Sequence, residues 1–457
     1  MLPEKFSERM KKILSEDYIS YENAVVGIRQ TGLRVNTVKC ENPKAVIEKL
    51  PFDCETIGYA SDCYYFEFEK PGNLPLHHAG AFYVQEPSAM APVSALEGLL
   101  PNGIKILDSC ASPGGKTSQA VCFCHDKNIV FSNEIVPSRC KTLVGNIERQ
   151  GFKNSVVLNG DTAYLSKEFK GEFALVICDA PCSGEGMFRK SREALSEWSP
   201  ENVSLCAQRQ KEILDNLSSC VCDGGYLLYS TCTFSPEENE MNVSYFLKKH
   251  PDFSLCEISD KFDNCTVCGI KEYCDGFDYK NVRRFYPHTG RGEGQFFAIF
   301  KKDGELLPST VFSYADGSRK PDKNEQKAID EFLKSTIGKI PENIRIYGEN
   351  ILILPDGLKI PAKKVFSCGV KLGEYKNGRI IPHHHFFSAF GKEFKNKVDL
   401  SCNSAECLKY LKGEGFDVCC ENGWCSVCIE GIPAGGGKVV NGYLKNHYPK
   451  GLRLMGD

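Results

Sequence analysis

IKILDSCASPGGKT, residues 104–117, runs from an apolar strand pattern through a glycine-bearing turn into the start of a helix. Gly114 and Gly115 let backbone N–H groups come close to a ligand, because no Cβ stands in the way. The GGKT tetrapeptide looks like the end of a phosphate-gripping P-loop. That motif needs a glycine five positions before Gly115, and Cys110 stands there. The G-x-G-x-x-G dinucleotide fingerprint is also absent.

Working outward, five more strand patterns lie downstream: NIVFSNE (128–134), SVVLNGD (155–161), FALVICD (173–179), GYLLYST (225–231) and QFFAIFK (295–301). Helical patterns at 116–124, 137–150 and 205–221 separate most of them. CDGGY reads as the glycine turn between the last long helix and its strand. Alternation of strand and helix predicts an α/β fold with a doubly wound parallel sheet. Such sheets bind ligands in the crevice at the carboxyl ends of their strands. Three acids stand at those ends. Glu134 closes the second strand and suits a ribose diol; Asp161 closes the third; Asp179 closes the fourth, near the reacting centre. A glycine turn with acids in register on the next three strands suits S-adenosylmethionine. Any one of these acids alone reads as a helix cap.

The flanks differ from this core. Residues 1–75 read as a small α+β unit, with Phe6, Met10, Ile13 and Leu14 at helical spacing and a break at KPGNLPLHHAG. Residues 76–302 form the core domain. Residues 303–457 carry short strand patterns between NGR, ENGW, PAGGG and VNGY turns, which predicts a mostly-β region of one or two modules, split near 375. Of the 457 residues, 42% are hydrophobic and 25% charged, and the net charge is −3. That excludes a generally basic nucleic-acid binder, so a polyanion partner must meet local patches. The first 18 residues mix charges without an apolar stretch, and no apolar run approaches the length of a membrane span. The expectation is a cytoplasmic monomer whose 24 cysteines are mostly reduced, buried thiols.

Two of those thiols sit where the ligand crevice should be. Cys182 stands after FALVICD in APCSG, and Cys232 after GYLLYST in STCTFSPEEN. Carbon-5 of a pyrimidine is too weak a nucleophile to take a methyl group. A thiolate adding at carbon-6 makes it reactive, and expulsion of the thiolate later restores aromaticity. Either cysteine fits the nucleophile by position, and Asp179 fits the N3 side of the ring.

LDSCASPGGKT, VICDAPCSGEGMFRK and LLYSTCTFSPEENE together resemble the Sun/Nop family of S-adenosylmethionine-dependent RNA cytosine-5 methyltransferases. GLRVNTVK, FYVQEPSAM and RFYPHTGRGEGQFFAIF resemble its flanking segments. GGGKVVNGYLKNHYPKGLR is similar to the PUA-like module of bacterial members that act on 16S ribosomal RNA. The resemblance implies a Rossmann-like methyltransferase core between a small amino-terminal α+β domain and a carboxyl-terminal PUA-like region, both RNA-binding. It implies Cys232 as the nucleophile and Cys182 as the group that assists adduct breakdown. It places donor contacts on Cys110, Ala111, Ser112, Pro113, Gly114, Gly115, Lys116, Glu134, Asp161 and Asp179, with Arg139 assisting and Lys190 at the RNA or the active site. Ser112 replaces the usual alanine, and Ser191 stands where an aspartate is common. Transfer RNA as substrate, a non-catalytic ribosome-assembly factor, and a DNA methyltransferase using Cys182 are the competing readings.

For RNA contacts the best stretch is 432–456, with Lys438, Lys445, Lys450, Arg453, Tyr443, Tyr448 and no acid. Arg283, Arg284 and Arg291, and Arg34 with Lys39, are further candidates. No metal is expected. Cys419, Cys420, Cys425 and Cys428 have C-x-x-C spacing but sit in a cysteine-rich chain, and adjacent histidines at 383–385 would point to opposite faces of a strand.

Overall fold

The computed structural model describes residues 2–27, 30–123 and 128–454. Cys124 and residues 455–456 of the basic stretch fall outside them. Helices Glu4–Leu14 and Tyr18–Val26 open the chain. Phe6 and Met10, one turn apart, are both fully buried. Next comes an antiparallel sheet, built from β1 (Thr31–Val35), β2 (Cys54–Thr56), β3 (Cys63–Phe66) and β4 (Phe82–Gln85) in the order β2-β3-β1-β4. The break expected at 75 therefore falls inside this unit. Residues 71–78 form only two short helical turns that lead into β4, whose pairing with β1 closes the sheet.

The core sheet takes β5 (Lys105–Asp108), β6 (Ile129–Asn133), β7 (Ser155–Leu158), β8 (Phe173–Asp179) and β9 (Val221–Thr231) in the parallel order β7-β6-β5-β8-β9. Helices Gly115–Phe123, Pro137–Gln150 and Pro200–Ser218 fill the connections as expected. Every residue of β5 to β7 and all of β8 but Asp179 are buried, as strands covered on both faces must be. Three details differ from the sequence reading. The sixth strand of the set, β13 (Gln295–Lys302), runs antiparallel to β9; it also pairs with β10 (Phe253–Leu255), while β12 (Val282–Phe285) and β11 (Val267–Cys268) extend the edge beyond it. The CDGG segment is part of β9 rather than a turn. Gly224 takes φ +70° there, and a Cβ at that point would meet Leu306 N at 2.3 Å. The third difference is at the opposite edge, where β16 (Val365–Cys368), from the carboxyl-terminal region, pairs with β7.

The carboxyl-terminal region holds two sheets. β14 (Ile344–Tyr347), β15 (Asn350–Ile353), β17 (Val370–Lys376) and β18 (Arg379–Pro382) form the first; β19 (Lys397–Leu400), β20 (Phe416–Asp417), β21 (Gly423–Ile429), β22 (Ile432–Val440) and β23 (Tyr443–Asn446) form the second. The division expected near 375 cuts the β17–β18 hairpin, so the two sheets part after residue 382 instead. Among the described residues, no helix is long and apolar enough to cross a membrane.

The three parts meet at GLRVNTVK. Arg34, 3% exposed, donates to Ser118 Oγ (2.6 Å) and Ser118 O on the core's first helix. Asn36 Nδ2 donates to Gly80 O and Gln150 O, both at 2.9 Å. Lys39 Nζ donates to Ala79 O, Arg149 O and Pro433 O at 2.8–2.9 Å, one carbonyl from each part of the chain. Arg34 and Lys39 are thus joints of the fold, which corrects their reading as RNA contacts. Lys39→Met would leave three buried carbonyls without a donor. We expect it to cost about 3 kcal/mol in urea denaturation; parental stability would contradict the joint.

Candidate active site

The order of the core sheet reverses between β5 and β8, and the crevice outside their carboxyl ends is the site such folds use. The 108–115 turn leaves β5, and the Asp179–Ser183 segment leaves β8. In-register pairing sets Asp179 opposite Ser230 of β9, and Ser230 Oγ donates to Asp179 Oδ1 at 2.7 Å. Lys116, the second residue of the helix after the glycine turn, places its Nζ 2.8 Å from Asp179 Oδ2. Lys116 is 6% exposed and the Asp179 side chain 37%, so the ammonium is interior and the carboxylate faces the opening.

Cys182 and Cys232 lie on adjacent loops with their sulfurs 3.3 Å apart, within hydrogen-bond reach and unbonded. The contact with Cys232, together with burial, pushes the Cys182 thiol well above its ordinary range. Cys182 is therefore held as a thiol, able to donate toward Cys232. The two loops are fastened together. Ser183 N and Ser183 Oγ donate to the Glu238 carboxylate at 3.0 and 2.5 Å, and Gln210 Nε2 reaches it at 2.8 Å. Ser183 Oγ and Thr233 Oγ1 are 2.9 Å apart. Gly186 N donates to Cys232 O at 2.7 Å, and Phe234 N donates to Glu185 Oε2 at 2.9 Å. Sequence reasoning misses Glu185 and Glu238. Both lie inside the quoted motifs, but only folding shows that they bridge them.

On the other side of the crevice, Ala111 N donates to Asn133 O at 2.8 Å, and Asn133 Nδ2 ties Ser109 O to Gly160 O at 3.0 Å each. Ser112 Oγ donates to Arg139 O and Arg139 Nη2 to Ser112 O. Pro113 O accepts from Asn146 Nδ2. Gly114 takes φ +108°, and a Cβ on it would press on Leu143 Cδ1 at 3.0 Å, so the turn needs glycine there. Gly115 O accepts from Ser118 Oγ. Cys110 is no rival nucleophile, because burial pushes its thiol up to about 12. Glu134 is 4% exposed; its Oε1 accepts from Val136 N and its Oε2 lies 3.4 Å from Arg139. Ile135, 63% exposed, stands beside it. Asp161 is three residues past the end of β7 and caps the helix Thr162–Glu168 by accepting from Tyr164 N at 2.7 Å. Ser191 likewise caps Arg192–Glu197, accepting from Ala194 N.

Five of the expected RNA contacts, Arg34, Lys39, Arg283, Arg284 and Tyr448, are interior. Arg284 is 1% exposed and clamped in a bidentate pair with Glu240; Arg283, also buried, pairs with Asp263. Tyr448 is 2% exposed, and Arg453 donates to its carbonyl. Arg291 is exposed but paired with Glu55. What remains is a cross-strand row on the last sheet: Trp424 opposite Lys438, and Lys438 opposite Lys445, with Lys438 5.6 Å from the indole centroid. Exposed Tyr443 and Lys450 lie nearby in sequence. His384 and His385 open a helix and are buried, rather than alternating on a strand. Among the described residues no group of three or more His, Cys, Asp or Glu side chains is placed to hold a metal ion.

Residues 99–301 match the family model described as 16S rRNA methyltransferase RsmB/F. Residues 2–87 match the N-terminal domain of 16S rRNA methyltransferase RsmF, and 395–454 the methyltransferase RsmF PUA domain. The ribosomal RNA small subunit methyltransferase F of Aeromonas salmonicida is 30% identical over 480 residues, covering 99% of this chain and 97% of that protein. Its counterpart in Vibrio vulnificus is 29% identical over 476 residues, with the same coverage. Among solved structures, a methyltransferase homolog protein from Pyrococcus horikoshii matches with TM-score 0.56 at 24% identity, over 66% of this chain and 95% of that one. NSun6 from Pyrococcus horikoshii, solved with SFG, matches in fold with TM-score 0.56 at 21% identity, over 66% of this chain and 99% of that one.

Burial pushes the Glu238 carboxyl from its ordinary 4.5 up to about 7, against the opposing pull of its hydrogen bonds from Ser183. The folded protein then binds a proton that the unfolded chain releases between pH 4.5 and 7. This group's contribution to stability falls as pH rises through that window. Glu238→Gln does not titrate. We expect its stability to gain on the parent by about 3 kcal/mol between pH 4.5 and pH 8 in urea denaturation. A pH-independent difference would contradict the buried carboxylate.

Proposed function

This chain belongs to the 16S rRNA methyltransferase F family, and from that premise we propose that it forms 5-methylcytosine in small-subunit ribosomal RNA through a covalent adduct at Cys232. The observation that carries the reading is the 3.3 Å sulfur pair at the carboxyl ends of β8 and β9, beside Asp179 and the glycine turn. The relatives that match end to end carry the small-subunit activity in their names, which favours that substrate over transfer RNA.

The residues on the crevice fit S-adenosylmethionine. The turn at Gly114 has no Cβ, the buried Glu134 carboxylate suits a diol, and exposed Ile135 offers an apolar face. Cys110 to Lys116, Glu134, Arg139, Asp161 and Asp179 would hold it. When bound, it supplies an electrophilic methyl group.

The chain's own residues do the rest. A target cytosine must leave its stack to reach a sulfur in a crevice. Cys232, as thiolate, adds to carbon-6 and turns carbon-5 into the nucleophilic end of an enamine. Asp179, held by Lys116 and Ser230, takes the N3 side of the ring. Cys182, held as a thiol, assists at the end of the sequence: the carbon-5 proton passes to water, its electron pair restores the carbon-5–carbon-6 double bond, the Cys232–carbon-6 bond breaks, and the Cys182 thiol donates to the departing Cys232 thiolate. The place of Cys232 in the STCT motif, as in the family the chain resembles, supports assigning attack to that sulfur. The row of Trp424, Lys438 and Lys445 supplies phosphate contacts with an aromatic at one end.

Cys232→Ala should abolish methylation of small-subunit RNA read by bisulfite sequencing; full methylation would refute the assignment. Cys182→Ala should accumulate a slow-migrating protein–RNA adduct on a denaturing gel, and its absence in a variant that still binds RNA would count against a release role. Lys438→Glu with Lys445→Glu should weaken RNA binding uniformly across sequences. It should also lower the slope of log affinity against log salt by about 1.4, as expected for two lost phosphate contacts on a single strand. An unchanged slope would remove this row from the interface.

A further inference from the structure

The geometry points to Glu185 as a positioning residue through which the amino-terminal helix sets the two cysteine loops; the inference rests on the covalent reading above. Glu185 belongs to SGEGMF, a part of the second motif to which the chemistry assigns no role. Its side chain is wholly buried and carries three donors from three separate segments. Arg9, on the helix Glu4–Leu14, pairs with Oε1. Trp198 Nε1 donates to the same oxygen at 2.7 Å. Phe234 N, two residues past Cys232, donates to Oε2 at 2.9 Å.

The backbone beside Glu185 makes the other half of the grip. Gly186 N donates to Cys232 O, and a Cβ on Gly186 would meet that oxygen at 2.9 Å. Cys232 is therefore held on both sides, at its own carbonyl and at the amide of residue 234, by one turn. That turn begins three residues after Cys182. Any shift of Glu185 moves one sulfur relative to the other. Arg9 is what a buried carboxylate needs to stay in place, because an unpaired charge there would be expensive to keep. Phe6 braces the pair, packing edge-on to Trp198 at 5.7 Å and to Phe188 at 5.1 Å.

The amino-terminal helix is thereby a wall of the active site and not only part of an RNA-binding appendage. Misplacement of a reacting group by about 1 Å costs on the order of 100-fold in rate without touching the groups that bind substrate. The expected signature is a loss in kcat with KM spared.

The test uses the full chain, small ribosomal subunits from cells lacking this protein as methyl acceptor, and S-adenosylmethionine. Arg9→Met and Glu185→Gln should each lower kcat by about 100-fold, with KM for the subunits and the donor dissociation constant within about threefold of parental. The double variant should be no slower than the worse single one, because both remove one coupling. Arg9→Lys, which keeps the charge, should recover most of the loss and so separates positioning from misfolding. A kcat within about twofold of parental in Glu185→Gln would overturn the inference, as would a parallel loss of donor binding and kcat. Cys232→Ala, run beside them, separates the two readings. If it stays active the covalent mechanism fails, whereas a dead Cys232→Ala beside an active Glu185→Gln sinks only the positioning role.

Discussion

The hydrogen bonds from Ser183 N and Ser183 Oγ to Glu238 hold the loop after β8 against the loop after β9, and the proposed chemistry depends on that closure. Parallel pairing alone brings the ends of β8 and β9 side by side, with Asp179 opposite Ser230. It does not set the loops themselves, because both strands hand over to irregular backbone within a few residues. Two sulfurs on untethered loops would not stay 3.3 Å apart. Here Glu238 ties residues 183 and 233, and Glu185 with Gly186 ties residues 232 and 234. The carboxylates are buried, so their bonds to N–H and O–H groups are made without competition from water. The result is a pre-set pair of sulfurs in which the contact with Cys232 and burial push the Cys182 thiol upward.

The same principle of interior charge recurs elsewhere in the fold. Arg34, Lys39, Arg149 and Arg284 are all buried, and each spends its donors on backbone carbonyls, hydroxyls or a carboxylate. Arg284 with Glu240 fastens the β12 edge to the segment just after the Cys232 loop, since Arg284 also donates to Phe234 O. Lys39 gathers three carbonyls where the amino-terminal unit, the core and the last sheet touch. These residues cost free energy to desolvate and recover it only through complete hydrogen bonding, which makes them joints that tolerate little change. In the row of Trp424, Lys438 and Lys445, by contrast, both lysines are exposed beside a half-buried indole.

The boundaries between parts are set by strand pairing, not composition. A proline- and glycine-containing stretch at 70–80 looks like a linker, yet β4 beyond it completes the first sheet. The strand at 365–368 sits among turn signals of the carboxyl-terminal region, yet its hydrogen bonds go to β7 on the core. Gly224 marks a backbone distortion inside β9, made necessary by the close passage of Leu306, where the local pattern offers only a turn signal. In each case a partner more than a dozen residues away decides where an element belongs, and local pattern carries no record of that partner.

Much of the protein was legible in its residues alone. Runs such as KILD, SVVL and FALVIC read as strand candidates, and with helices between them they imply a parallel sheet whose ligand-binding edge follows from the fold class. That edge carries the glycine turn, the three acids and the two cysteines, so the candidate site was readable as a set. Tertiary structure alone decided how the set is arranged. It separated Asp179, paired with Lys116 at the opening, from Asp161, whose carboxylate caps a helix. It turned Arg34, Lys39, Arg283 and Arg284 from expected RNA contacts into interior joints. It made Glu185 and Glu238 the fasteners of the sulfur pair, and joined the first helix to the site through Arg9. The physical reason is common to all of these. Periodicity and spacing report on neighbours along the chain, whereas the partner of a buried charge is chosen across it.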